Sequence, residues 1–407
     1  MIDGGFFSKK ETSSIFRPDG RTYSCASCGL YRNAKSPRMA PFGNFKKKIL
    51  NIGEAPGEIE DSRGKPWQDK TGRLLQRMYK KLGIDLFEDC LNINAVNCRP
   101  MNKSGGNRTP TNYEIACCRS RVWRIIRERK PKVIIALGNS AIFSLIEHRW
   151  KKNFGNLTKW RGWTIPDQDI QSWICPTFHP SYVERMDSPE VYTVWKQDLS
   201  QAFSMLNTPF PQYKPDDACI HIIDSPEELP SFPELAAFDY ETTGIKPHAK
   251  GHHIICASIA YDENTVYSFM MPRTNSKRQK FIEFLANPNI KKIAHNMKFE
   301  DTWSTVRLRQ EVKAWYWDTM IAAHILDNRP VVTSLKFQTY VHQGVPDYDS
   351  EISDYLKGKD DKNANSFNRI SELLKRPGGT TKLLTYCGLD SLYTYRLAIQ
   401  QMRKMGI

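Results

Sequence analysis

Apolar positions in the first half of the chain switch between two periods. KKKILNIGEA is a strand-like run ending in a turn. TGRLLQRMYKKLG spaces its apolar residues three and four apart, and DCLNINAVNC returns to a strand. EIACCRSRVWRIIRER is again helical, and PKVIIALGNSAIFSLI reads as a buried strand running into a helix. The β-α-β-α order predicts a mainly parallel sheet flanked by helices. Residues 207–217, NTPFPQYKPDD, carry three prolines and neither period, so they read as a linker. Beyond it, IHIID, LAAFDYE, IICASIAYD and TVYSFMM predict four strands in succession. Helical spacing then dominates from SKRQKFIEFLA through TTKLLTYCGLDSLYTYRLAIQQM. The pattern predicts two α/β domains, 1–206 and 218–407, with no internal repeat and no low-complexity segment beyond the lysines at 46–48.

Length supports that division, since 407 residues exceed what one core normally organises. A hydrophobic content of 40% with 11% aromatics suits packed domains. No apolar run approaches the length of a membrane span. The opening MIDGGFFSKKETSS lacks the layout of a signal peptide, so the chain is expected to stay in the cytoplasm. Ten cysteines in a reducing compartment argue for thiols or metal rather than disulfides. Charge is lopsided: residues 1–210 hold 34 Lys+Arg against 20 Asp+Glu, or +14, and the remainder 25 against 24, or +1. An excess so confined implies a polyanionic partner, and nucleic acid is the first choice.

Five of the ten cysteines fall in two stretches. RTYSCASCGLYRN holds Cys25 and Cys28; NCRPMNKSGGNRTPTNYEIACC holds Cys98, Cys117 and Cys118. A CxxC plus two distant thiolates suits zinc or an iron–sulfur cluster, and spacing favours neither. Buried free cysteines account for the pattern as well.

NIGEAPGEIEDSRGKPWQDKTGRLL (51–75), NAVNCRP…NRTP…EIACC and PTFHPSYVERM fall in the order of the motifs of family 4 uracil-DNA glycosylases, which residues 20–200 resemble. The resemblance implies a three-layer fold and a 4Fe–4S cluster on Cys25, Cys28, Cys98 and Cys118, with Cys117 the lesser choice for the fourth ligand. It implies that Glu54 and Glu60 place water or stabilise a sugar cation. Trp67 would stack on the base, Asn94 would read the pyrimidine edge, and His179 would donate to the uracil oxygen as charge develops there. Tyr182, Val183 and Arg185 would form a loop that fills the vacated stack and grips the phosphate. This chain departs from the family in carrying Trp67, Gln68 and Asp69, where Phe and a small pair near Val-Gly are expected, which puts the pocket's preferred base in question. Ala55 stands where sister families place a water-activating group, and alanine cannot do that work.

In the second half, LAAFDYETTGIKPH puts Asp239 and Glu241 two apart on a strand, facing the same way. KKIAHNMKFEDTWS and TKLLTYCGLDSLYTY follow. Carboxylates from a strand and two helices make an oxygen-only site for two divalent ions. Residues 218–400 resemble DnaQ-like (RNase H-like) 3′–5′ exonucleases with a mixed sheet, most closely the proofreading domain of family A DNA polymerases. That resemblance implies Mg2+ or Mn2+ on Asp239, Glu241, Glu300 and Asp390, with Tyr386 orienting the attacking water through Y-x-x-x-D. Glu300 stands where Asp is usual; His295 and Asn296 support it, and Asp318 reads as a helix cap. The chain stops at Ile407, which leaves no room for a polymerase domain. The expectation is a DNA enzyme that excises uracil or a related pyrimidine and trims 3′ ends. A catalytically silent base reader coupled to the nuclease, or a proofreading accessory of a separate polymerase, are the alternatives.

Overall fold

The computed structural model describes residues 23–150, 152–213, 219–346, 348–358, 360 and 363–407. The opening stretch read for targeting and the later part of the linker lie outside these. The chain separates into two compact units: one runs to Pro211 and takes in Tyr340–Pro346, and the other holds Gln212–Thr339 and the remainder to Ile407.

The N-terminal unit is built on five strands, β1 (Ile49–Gly53), β2 (Cys90–Asn94), β3 (Val133–Leu137), β4 (Ile165–Asp167) and β5 (Ser172–Thr177), in the order β2-β1-β3-β5-β4. All neighbours are parallel except β4 against β5. Ile49, Val133 and Ile135 pack with Leu75 and Met78 of helix Lys70–Lys81 and with Trp195 and Leu199 of helix Pro189–Ser204. Alternation turns Leu50, Ile52, Ile134 and Ala136 to the other face, where they too are fully buried, so both faces are covered. A polar bridge crosses this core: Tyr79 Oη donates to Asn51 Oδ1 (2.7 Å), and Asn51 Nδ2 donates to Asn92 Oδ1 (2.9 Å).

The C-terminal unit has six strands, β6 (Ile220–Ile222), β7 (Leu235–Thr242), β8 (Ile254–Asp262), β9 (Thr265–Met270), β10 (Lys291–Ala294) and β11 (Trp315–Asp318), ordered β11-β10-β7-β8-β9-β6. β8 runs antiparallel to both β7 and β9 and the remaining neighbours pair in parallel, giving a mixed sheet. Phe238, Tyr240, Ala257, Ile259 and Phe269 face a core with Phe281, Phe284 and Trp303. The opposite face receives the helix Gly379–Met405: Ser258 Oγ donates to Cys387 O (2.6 Å) and Ser268 Oγ to Leu384 O (2.8 Å). No described helix is long and apolar enough to cross a membrane.

Candidate active sites

In the N-terminal unit the carboxyl ends of four strands converge. Glu54 follows β1, Asn94 ends β2, Ser140 lies just past β3, and His179 follows β5. Parallel α/β sheets place ligands at this edge. Glycines bring the side chains together. A Cβ on Gly53 would lie 2.5 Å from Asn94 Oδ1 and 2.9 Å from Trp67 Cζ2, and one on Gly138 (φ +88°) would press His179 Cβ at 3.0 Å. Trp67 and His179 rings lie 5.6 Å apart. Ser140 Oγ donates to Glu54 Oε2 (3.1 Å). Burial raises the Glu54 carboxyl above its usual range, against the pull of Ser140 and Arg185.

His179 caps the helix Pro180–Met186, whose first residue is a proline. The Ser181 backbone N–H donates to His179 Nδ1 (3.2 Å), with Ser181 Oγ 2.7 Å from the same atom. A backbone donor on Nδ1 makes that nitrogen an acceptor, which leaves the proton on Nε2. Burial, with Arg185 adding to it, pushes the imidazole down to about 4. His179 is therefore a neutral donor near neutral pH.

Cys25 and Cys28 lie close enough to act electrostatically on Cys98, Cys117 and Cys118. All ten in the chain are free thiols. Burial raises Cys118 to about 12, and Cys28, Cys98 and Cys25 add to the shift; Cys98 is raised by burial and by Cys28 and Cys25. Burial raises Cys117 too, with Cys28 and Cys25 adding to it. The Arg38 N–H donates to Cys98 Sγ at 3.2 Å. Thiols that crowd one another and accept backbone N–H groups fit a cationic centre that would hold them as thiolates.

The second site lies in the C-terminal unit. While Phe238 and Tyr240 enter the core, Asp239 and Glu241 point to the face covered by helix Gly379–Met405, which carries Asp390. Ligand oxygens of Asp239, Glu241 and Asp390 all lie within 4.8 Å of one another. At that spacing two like charges repel by about 4 kcal/mol at an effective dielectric of 20. Burial, then Asp390, holds Asp239 well above the carboxylate range; Glu241 and Glu300 are raised by burial, then by Asp239. Glu300 sits on helix Met297–Trp303, is 2% exposed, and its Oε2 has no hydrogen-bond partner among the described residues. It lines a cavity of about 420 Å³ with Asp239, His295, Asn296, Lys336 and Asp390. A buried, unpartnered carboxylate oxygen beside a tight acid trio is the donor set that divalent cations satisfy. Asp318 fixes the approach: it accepts from the Asn296 (3.1 Å) and Met297 (2.9 Å) N–H groups, so Asn296 holds φ +68° at the helix start, and it also caps helix Thr319–Leu326.

Residues 40–200 match the uracil DNA glycosylase superfamily and residues 220–406 the 3′-5′ exonuclease family. A type-4 uracil-DNA glycosylase of Thermotoga maritima is 35% identical over 186 residues, which are 46% of this chain and 91% of the relative. One of Saccharolobus solfataricus is 33% identical, over 45% of this chain and 82% of its own length. The chain belongs to the type-4 uracil-DNA glycosylase family. A DNA polymerase of Bacillus phage SP01 is 24% identical over 322 residues, which cover 70% of this chain and 33% of the polymerase.

Within this type-4 uracil-DNA glycosylase, several residues take positions other than those expected from the motifs. Glu60 is committed to the backbone: Oε2 accepts from Gly57 N–H and Oε1 from Trp67 N–H, both at 2.7 Å. It pins the turn on which Trp67 adopts φ +60°, and so acts as a positioning residue. Val183 is 4% exposed and part of the core, so it cannot enter a DNA stack. Tyr182 stacks on Phe178 at 4.9 Å and Arg185 is exposed; they ride a helix instead of a loop. Asp69, the residue that departs from the family, caps helix Lys70–Lys81 by accepting from Gly72 N–H (2.8 Å). Ser140, Ser181, Lys336 and Tyr348 were missed by the motifs, and no pattern in their surroundings distinguishes them. Tyr386 lies one turn before Asp390, 6.1 Å from the Tyr348 ring.

Proposed function

We propose that the chain removes uracil from DNA by hydrolysing the N-glycosidic bond in its first unit and degrades DNA 3′ to 5′ in its second. The observation that carries the first half is the meeting of Glu54, Asn94, Trp67 and His179 at one sheet edge. A flipped pyrimidine would rest against the Trp67–His179 wall while the Asn94 amide reads its edge. As the C–N bond lengthens, the Glu54 carboxylate steadies the sugar cation or places water beside it. The His179 Nε2–H, already oriented by Ser181, donates to the uracil oxygen as negative charge grows. Arg185 would grip the phosphate. Cys25, Cys28, Cys98 and Cys118 would hold a 4Fe–4S cluster.

In the second unit Asp239, Glu241, Glu300 and Asp390 would hold two Mg2+ or Mn2+ ions. Such ions supply an activated water and steady the leaving oxygen. Tyr386, one turn before Asp390 on the same helix, would orient the attacking water. A separate polymerase partner is the second reading, favoured by the match to a DNA polymerase over more of the chain than either half contains; co-purification with a polymerase tests it.

The test of the first half is a 5′-labelled single strand with one uracil, incubated in EDTA and then treated with alkali. One cut at the uracil, absent in His179→Asn and Glu54→Gln, is the expected result. Uncut but tightly bound DNA would make the first unit a reader. Anaerobically purified chain should contain iron and absorb broadly in the visible; zinc in its place would overturn the cluster.

A further inference from the structure

An ammonium group stands inside the acid cluster. Lys336, in the first turn of helix Leu335–Gln343, bonds Asp390 Oδ1 through Nζ, and the same nitrogen lies 4.4 Å from the ring centroids of both Tyr348 and Tyr386. Tyr348 Oη donates to the same Asp390 oxygen at 2.5 Å. The lysine charge also acts on Asp239 and Glu241. Lysine heads ordinarily reach out to water. This one is 13% exposed and held between two ring faces and a carboxylate, so its position is built into the fold.

Charge counting gives the group a task. Asp239, Glu241, Glu300 and Asp390 carry four negative charges when ionised, and two divalent ions cancel them. Lys336 then leaves one positive charge over, and an entering phosphodiester supplies the matching negative. With one ion bound, lysine included, the cluster is one short of neutral. We propose that Lys336 is a resident counter-cation, a positioning residue that holds Asp390 and keeps the second divalent ion weakly bound until a DNA phosphate enters. The inference rests on the reading of this site as a two-ion nuclease. Lys336 lies outside the motif residues, and it is this charge that would leave the unit idle without DNA at low free metal.

Mn2+ titration of the full chain without DNA, followed by calorimetry and by the spin resonance of free Mn2+, tests it. The parent should bind one ion tightly and a second weakly. Lys336→Met should tighten the weaker site about tenfold, the change that about 1.4 kcal/mol gives, and Lys336→Arg should match the parent. In EDTA, Lys336→Met should melt below the parent, since carboxylate repulsion is unrelieved, yet gain more from added Mn2+. A lysine that merely braces Asp390 predicts the reverse, with affinity unchanged or weaker in Lys336→Met, and that result overturns the proposal. If the parent itself binds no Mn2+, the two-ion reading fails with it.

Discussion

The two candidate sites solve the problem of a phosphate-rich substrate in opposite ways. In the N-terminal unit the acids near the pocket are divided by task. Glu54 stands at the sheet edge with one hydroxyl donor on it, Glu60 is occupied by backbone N–H groups, and Asp69 caps a helix. Asn94 and Ser140 are uncharged and His179 is held neutral, while Arg185 is close enough to act on both Glu54 and His179. In the C-terminal unit three carboxylates share a space of 4.8 Å with a fourth beside them. The first arrangement is stable as it stands and can act without added cations. The second stores repulsion that a cation must relieve. The difference teaches that metal dependence should divide cleanly between the units, and it can be broken or sharpened in several ways.

The largest expected effect is on the crowded site. Asp239→Ala, or chelation of the parent, should lower 3′–5′ degradation by on the order of a thousandfold, which is about 4 kcal/mol of barrier. Uracil excision should be unchanged in the same samples, as a gel that reads both products would record. The mirror experiment is His179→Asn, expected to lower excision by about a hundredfold to a thousandfold, the range for a lost oxyanion donor. Its end degradation should match the parent.

Next in size is Gly53→Ala. The added Cβ meets Asn94 Oδ1 and Trp67 at 2.5 and 2.9 Å, so overpacking should cost about 1–3 kcal/mol in thermal unfolding and displace both walls of the pocket. Excision should fall while the nuclease keeps its rate.

Acid should destabilise the N-terminal unit through its histidines. The folded His179 value, about 4, lies below the ordinary 6.5, so the unfolded chain binds the extra proton first. That contribution is full above pH 6.5 and is lost as pH falls toward 4; it amounts to at most about 3 kcal/mol. His148, pushed down to about 3 by burial and by Arg119, Arg149 and Arg127, works in the same direction. Urea midpoints between pH 7 and 4 should fall less steeply in His179→Gln than in the parent. A parallel decline would show that His179 is not held neutral.

The smallest effect is at Asp69. Asp69→Ala should cost about 1 kcal/mol through the lost helix cap. Excision should persist, because the carboxylate is engaged by Gly72 N–H. Restored or much faster excision would mean instead that Asp69 obstructs the pocket.

Much of this was legible in the chain. Apolar runs located β1, β2, β3 and the helix Asn112–Arg129, and the D-x-E spacing placed Asp239 and Glu241 on one face of β7. Less visible were β5, SWICPT, which carries a proline inside a parallel strand, and β10, KKIA, which opens on two lysines; pairing on both sides of each overrides local preference. The task of Glu60 could not be told from that of Glu54, since both are glutamates in one glycine-rich turn. Three-dimensional closure decides that Glu60 meets backbone N–H groups and Glu54 a serine hydroxyl. Lys336 and Tyr348 reach Asp390 across 54 and 42 residues, a distance at which no spacing rule operates.

The central claim is that one chain carries a glycosylase that needs no added divalent ion and a nuclease that does. Its most direct test places the uracil-containing, 5′-labelled strand with the parent chain in EDTA, and then in Mn2+. The account predicts a single alkali-revealed cut at the uracil in EDTA and progressive shortening from the 3′ end once Mn2+ is added. An uncut strand in EDTA that is cut at uracil when metal is supplied would contradict it, because the chemistry assigned to Glu54 and His179 needs no divalent ion.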